Sequence, residues 1–246
     1  MPSISPAVVL LLVALALVGG GILLARASGS QVGIGRRLAA AGQLRVGDLP
    51  DVDPLPDRPV RVVGRIRCPD PIISAEDERL VALHRDVDVQ LGDGRWRTIE
   101  RLRLTRGFEL YDHDGSLPLD PSLAAEPLVA IPHVWRGSAS ELTDEAHRAA
   151  VERLEQEGRR PAAARSVMRT VSVVDRLLVL ARAERDALGN LALSPPPGGY
   201  VISALELPDA MRLLGGARRA WLLLGAACIA LGIILAVPAA VLLLIG

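Results

Sequence analysis

The stretch that decides the fold is ERLVALHRDVDVQLGDGRWRTIERLRLTRGFEL, residues 78–110. Its first half alternates apolar and polar residues, so that Val87 and Val89 share one face with Val81 and Leu83. A period of two residues is typical of a half-buried β-strand. Residues 92–94 read Gly-Asp-Gly, a hairpin turn by composition, and beyond them apolar residues recur at even spacing. The stretch therefore predicts two antiparallel strands joined by a hairpin.

Strand patterns continue on both sides of this stretch. Residues 60–68 alternate, and Asp114-Gly115 supplies a second hairpin turn after residues 108–111. Further strands are predicted over 166–174 and 176–184, followed by a Pro/Gly corner and a last strand. The predicted fold class is α+β, a mostly antiparallel β domain with one inserted helix, flanked by two transmembrane helices.

The inserted helix is predicted to begin at Ser138, which forms a capping box with Glu141, and to run to Glu157. Gly158 follows as a stop signal. His147 lies among charged residues and is interpreted as a surface residue. The predicted apolar stripe consists of Leu142, Ala146, Ala150 and Leu154.

Two apolar runs flank the β-rich region: AVVLLLVALALVGGGILLAR, residues 7–26, and the chain from Trp221 to Gly246. Each is long enough to span a bilayer as a helix. A cleaved signal peptide is an alternative for the first run, because Ala25-Arg26-Ala27 resembles a cleavage site. Small residues of the second run, Gly225 and Gly232 among them, are expected to permit close helix packing.

The residues that flank these runs predict a membrane interface and an orientation. Trp221 is expected to lie at the level of the lipid headgroups. The excess of arginine on the inner flanks is expected to place the central domain in the cytoplasm. The predicted location is a bacterial plasma membrane. The predicted interface anchors are Arg26, Arg218, Arg219 and Trp221.

These patterns divide the chain into five segments. Two are predicted transmembrane helices, one is a juxtamembrane segment with a linker, one is the β-rich domain and one is a short connecting helix. In chain order they are residues 7–26 (transmembrane), 27–59 (juxtamembrane segment and linker), 60–207 (β-rich domain), 208–219 (connecting helix) and 220–246 (transmembrane).

Composition excludes several classes of function. The 28 basic residues, all arginine, balance 28 acidic ones, so no nucleic-acid partner is expected. The two cysteines, Cys68 and Cys228, cannot build a disulfide framework or a zinc site. Residues 112–115, Asp-His-Asp-Gly, lack the later ligands of a calcium loop and are interpreted as a solvated turn. No catalytic residue, metal or cofactor is predicted.

Two motifs carry a resemblance to a known family. One is F-x-L-x-D-x-x-G at residues 108–115, and the other is the corner that contains Leu193, Pro196, Pro197, Gly199 and Tyr200. With an apolar run on each side, this order of parts resembles the GIDE, or "beside a membrane", family. Family members include mitochondrial outer-membrane RING-type ubiquitin ligases, but this chain lacks the Cys/His ligands of a RING. The family topology implies an intermembrane-space domain, which conflicts with the arginine pattern, and the orientation stays open.

Three functions are considered. The first is a non-catalytic scaffold that binds a protein partner, itself or a lipid bilayer. The second, implied by the resemblance, is a RING-type E3 ubiquitin ligase, and it is disfavoured because two cysteines cannot hold a RING. The third, a channel component, has the least support because the two spans have no ionisable residue inside the membrane that could form an ion path, Arg26 being placed at the interface. The residues chosen as a possible interaction surface are Trp96, Trp135 and Tyr200, since exposed aromatic side chains are enriched at interfaces.

Overall fold

The computed structural model describes the backbone of residues 6–185 and 189–245, and the side chains of 8–24, 33–185, 189–216, 223–239 and 241. The chain divides into two compact units. One is the continuous segment Ala40–Ala210, and the other is formed by the segments before and after it.

Three α-helices and twelve β-strands are described. The helices are α1 (Pro6–Ala40), α2 (Glu145–Gln156) and α3 (Leu207–Ile245). The strands are β1 (Gln43–Arg45), β2 (Val60–Arg67), β3 (Ile72–Ile73), β4 (Arg79–Leu91), β5 (Trp96–Thr105), β6 (Phe108–Tyr111), β7 (Ser116–Leu119), β8 (His133–Ser138), β9 (Pro161–Ser172), β10 (Arg176–Arg185), β11 (Leu191–Ser194) and β12 (Val201–Ser203).

The helices α1 and α3 correct the predicted membrane topology. In the described part of the chain, neither has a stretch with the length and hydropathy that a transmembrane helix needs. The predicted class with two transmembrane helices is therefore wrong, and the fold is mixed α/β. The membrane assignments and the plasma-membrane location are wrong for the same reason.

Small residues lie where α1 and α3 contact each other. A Cβ atom added to Gly21 would lie 2.6 Å from the carbonyl oxygen of Gly225. One added to Gly232 would lie 2.8 Å from the carbonyl oxygen of Ala14. The two helices therefore approach closely enough that these glycines have no room for a side chain.

The first sheet of the unit Ala40–Ala210 has seven strands in the order β11-β10-β2-β6-β7, with β1 also on β2 and β12 also on β10. The pair β1–β2 is parallel, and the other described pairs of this sheet are antiparallel. Residues 43–45, which belong to the predicted juxtamembrane segment, thus form part of the sheet.

The second sheet has five strands in the order β3-β4-β9-β8, with β5 also on β4. Its described pairs are antiparallel. The hairpin β4–β5 turns at residues 92–95, where Gly94 has a φ of 81°. The strand β8 forms one edge of this sheet, and β5 together with the short β3 forms the other.

The long strand β4 contributes to two hydrophobic clusters. Near its start, Val81 and Ala82 pack with residues of the seven-stranded sheet such as Val62 and Leu110. Near its end, β4 packs against α2 and the loop before it. This second cluster contains Val87, Val89, Leu91, Ala139, Leu142, Val151, Leu154 and Ala164.

The helix α2 begins seven residues later than the predicted start, at Glu145 instead of Ser138. Ser138 does cap a helical turn, but that turn is a short 3-10 helix, Ala139–Glu141. Asp144 caps α2 by accepting a hydrogen bond of 2.9 Å from the amide of Ala146. The face of α2 that packs on the sheet therefore differs from the predicted stripe and consists of His147, Val151 and Leu154.

Candidate interaction site

The strand β8 leaves one of its edges open. It pairs with β9 over residues 133–138, and in the described part of the chain no other strand pairs with it. Residues 133–136 are all exposed. Ile131 and Val134 are apolar residues exposed at this edge, together with Trp135. The edge therefore combines unpaired backbone groups with apolar side chains, a combination that invites pairing with another strand.

Trp135 lies on the face of the sheet that carries α2. It pairs with Ser166, which pairs in turn with Val87, whose side chain belongs to the cluster beneath α2. A Cβ atom added to Gly137 would lie 2.6 Å from Cζ2 of the Trp135 indole, so the ring lies over this glycine. The indole is 39% exposed, and it can lie along the strand because Gly137 has no side chain in its way.

Trp96 lies on the opposite face and at the opposite edge. It begins β5 and is 42% exposed, and the guanidinium of Arg165 stacks on its ring at 4.5 Å. Arg165 also donates a hydrogen bond of 2.9 Å to Asp88, which accepts another of 2.6 Å from Thr98. Because Arg165 covers one face of the ring and is itself paired, Trp96 is part of a local polar network.

Tyr200 is a buried structural residue, only 3% exposed. Its hydroxyl donates a hydrogen bond of 2.7 Å to the carbonyl oxygen of Leu193, and burial raises the pKa of this phenol. The preceding Gly199 has a φ of 84° and lies against the backbone of residues 123–125. The structure therefore does not bring Trp96, Trp135 and Tyr200 together into one surface.

Charged side chains cover the same face as Trp96. Arg103 donates hydrogen bonds of 2.8 Å to Asp86 and 2.7 Å to Glu126. His84 is buried beside them, and burial together with the charge of Arg103 lowers the pKa of its imidazole. Asp86 also lies 3.6 Å from Arg101. Arg101, Arg103 and Arg165 of this face are thus paired with carboxylates.

His147 is buried, in contrast to the predicted surface position. Its Nε2 lies 2.7 Å from Oε2 of Glu100, and Arg85 donates a hydrogen bond of 2.8 Å to the other oxygen of that carboxylate. Burial opposes ionisation of Glu100, but the bonds from Arg85 and His147 outweigh it and lower the pKa of Glu100. One carboxylate oxygen thus joins α2 to the sheet through His147, and the other is bound within the sheet by Arg85. In the sequence, the spacing of His147, Val151 and Leu154 matches one face of a helix, and this pattern could have indicated that His147 is buried.

The turn at residues 112–115 uses its acidic group internally. The carboxylate of Asp112 accepts hydrogen bonds from the amides of Gly47, Asp114 and Gly115, at 2.8, 3.0 and 3.1 Å. Burial raises the pKa of Asp112, but these three hydrogen bonds have the larger effect, and the pKa is lowered overall.

Among the described residues, no group of three His, Cys, Asp or Glu side chains could hold a metal ion. The described Cys68 and Cys228 are free thiols, and Cys68 donates to the carbonyl oxygen of Gly107.

The predicted interface anchors cannot be placed. The side chains of Arg26, Arg218, Arg219 and Trp221 lie outside those that the structure describes.

Comparison with known proteins gives no relative: no family model, no curated protein and no solved structure matches this chain.

Proposed function

We propose that the unit Ala40–Ala210 is a non-catalytic protein-binding domain that takes an extended segment of a partner protein onto the open edge of β8. One observation carries this proposal: the edge strand offers a free ladder position next to exposed apolar side chains.

The backbone of β8 supplies the first part of the binding energy. Six residues in extended conformation give a ladder of about 20 Å. An added strand would pair with the backbone groups that β9 does not use, as in other complexes formed by strand addition. Such pairing does not depend on sequence, so specificity comes from the side chains.

The side chains of β8 set the chemistry of the partner. Successive residues of a strand point to opposite faces, so Val134 and Arg136 share one face and Trp135 lies on the other. Arg136 is exposed and forms no ion pair among the described residues. The preferred partner is therefore an extended segment with an apolar residue for Trp135 or Val134 and an acidic residue for Arg136.

A second copy of this chain is a less favourable partner for the same edge. Two antiparallel β8 strands would bring the Arg136 residues of both copies onto one short ladder. Like charges on neighbouring strands destabilise the pairing, whereas an acidic partner gains from the same position.

Membership of the GIDE family stays a prediction from two motifs. The ubiquitin-ligase alternative is not carried forward, because no family model connects the chain to that activity.

Replacing Trp135 by alanine is expected to weaken peptide binding about tenfold or more, the usual cost of losing an aromatic anchor. Displayed libraries of twelve-residue peptides would be selected on the full-length protein, and the affinity of a selected peptide measured by fluorescence polarisation. Hydrogen exchange with and without this peptide would locate it, with added protection expected in the amides of β8.

Trp96→Ala is the matched control, since the two tryptophans are exposed to nearly the same extent at opposite edges. It should leave the affinity unchanged. Equal weakening by both variants, or protection confined to strands other than β8, would contradict the proposal. A dimer of the free protein that Trp135→Ala dissociates would show that the edge pairs with a second copy.

A further inference from the structure

A cleft on the seven-stranded sheet collects arginines that have no acidic partner among the described residues. Its volume is about 600 Å³, and its floor is formed by Val63 and Gly64 of β2. The basic residues that line it are Arg45, Arg65, His113 and Arg176. The cleft lies on a different sheet from β8 and has no part in the function proposed above.

The register of the sheet places two of these arginines directly opposite each other. Arg65 of β2 and Arg176 of β10 are antiparallel partners, so their Cβ atoms lie about 5 Å apart. Arg45 approaches from β1, where it pairs with Val63. Like charges at directly opposed positions destabilise a sheet, and a bound anion would reverse this cost.

These three guanidinium groups are unpaired, unlike several arginines of the five-stranded sheet. In the described part of the chain, Arg45, Arg65 and Arg176 form no side-chain hydrogen bond or ion pair. On the five-stranded sheet, by contrast, Arg103 and Arg165 each bind a carboxylate at 2.9 Å or less. The three arginines therefore keep their donors available for a ligand.

Two acidic residues also line the cleft. The carboxylate of Asp112 is held by three backbone amides, as described above. Asp114 lies at the turn and forms no ion pair with the three arginines among the described residues. The cleft keeps an excess of positive charge, because the carboxylates of Asp112 and Asp114 offset only part of the charge of the three arginines.

We propose that this cleft binds the phosphate group of a small phosphorylated molecule. A phosphate monoester carries up to two negative charges and several acceptor oxygens, which match two or three guanidinium forks. The volume is that of a small-molecule site and leaves room for more than the phosphate. Tyr111, which lines the cleft, offers a ring beside it.

The test is calorimetric titration of the full-length protein with pyrophosphate, at an ionic strength held constant with sodium chloride. Arg65→Gln and Arg176→Gln should each weaken binding about tenfold or more, because a hydrogen bond to a charged group is lost. Asp114→Asn should tighten binding, since it removes one of the two opposing charges. Arg182→Gln is the matched control. This arginine is exposed on β10, about 20 Å further along the strand, and has no partner in the part of the chain that the structure describes.

Thermal denaturation gives an independent readout. Without pyrophosphate, Arg65→Gln and Arg176→Gln should raise the Tm by relieving the repulsion, and Arg182→Gln should not. With pyrophosphate, the wild type should gain more in Tm than either cleft variant.

Three results would overturn the proposal. Equal loss of affinity in Arg182→Gln would mean that only net charge matters. Citrate binding as tightly as pyrophosphate would remove the preference for phosphate. Binding of a phosphoserine peptide but not of pyrophosphate would assign the cleft to a phosphorylated protein instead.

Discussion

Replacing Gly199 by alanine is expected to lower the free energy of unfolding by about 3 kcal/mol. Its φ of 84° is a conformation that costs other residues about 1–2 kcal/mol. The added Cβ atom would also lie 2.6 Å from the carbonyl oxygen of Leu123 and 2.9 Å from the amide nitrogen of Ala125. Both are backbone atoms that cannot rotate away, so overpacking adds about 1–3 kcal/mol. Urea denaturation followed by tryptophan fluorescence measures this change.

Gly94→Ala separates the two contributions to this loss. Gly94 has nearly the same φ, 81°, but a Cβ atom there would meet nothing within 4 Å. This variant should lose only about 1–2 kcal/mol, the cost of the backbone conformation alone. Equal losses in the two variants would show that the contact of Gly199 with residues 123–125 contributes nothing.

Replacing Glu100 by glutamine is expected to lower the free energy of unfolding by about 2 kcal/mol at pH 7. The carboxylate accepts hydrogen bonds from Arg85 and His147, and a bond to a charged group contributes about 1.5–3 kcal/mol. A neutral amide cannot replace the charge that both partners face. The same denaturation experiment measures the loss.

The effect of Glu100→Gln should depend on pH. Because the pKa of Glu100 is lower in the folded protein than in the unfolded chain, its contribution is complete above the unfolded value of about 4.3. The contribution is lost as the pH falls through the folded pKa. The difference between wild type and variant should therefore be full at pH 7 and shrink below about pH 4.

Glu109→Gln is the control for this pair of variants. Glu109 also pairs with an arginine, Arg67, but at 3.4 Å and with both side chains exposed. An exposed pair of this kind contributes less than about 1 kcal/mol. A loss in Glu100→Gln no larger than in Glu109→Gln, or a loss that does not change between pH 7 and pH 3, would contradict the structural role of Glu100.

The face of the sheet on which Trp96 lies could not be predicted from the sequence. Even spacing from Trp96 to Leu102 predicts that both lie on one face of β5. In the structure, Val87 pairs with Glu100 and Asp88 with Thr98, so Ile99 is an extra residue in a β-bulge. One extra residue moves every side chain beyond it to the other face. The alternation predicts the strand, but nothing local in the sequence marks the bulge.

The helix and the turn illustrate the same limit at shorter range. Ser138 and Asp144 are both good caps. The later start agrees with the packing of α2 on the sheet, which includes the contact of His147 with Glu100, 47 residues away in sequence. The apolar runs near the two ends predicted spans by hydropathy alone, and the structure overturns that prediction. In contrast, the turn at residues 112–115 could be predicted from its composition, because its hydrogen bonds to Asp114 and Gly115 are local.

The length of β4 couples the two hydrophobic clusters. Its first residues belong to the cluster of the seven-stranded sheet and its last residues to the cluster beneath α2, with one continuous ladder to β9 between them. If either cluster unfolds, it disturbs β4, against which the other cluster packs. The unit Ala40–Ala210 is therefore expected to unfold as one cooperative foldon, with the slowest amide exchange in the middle of β4.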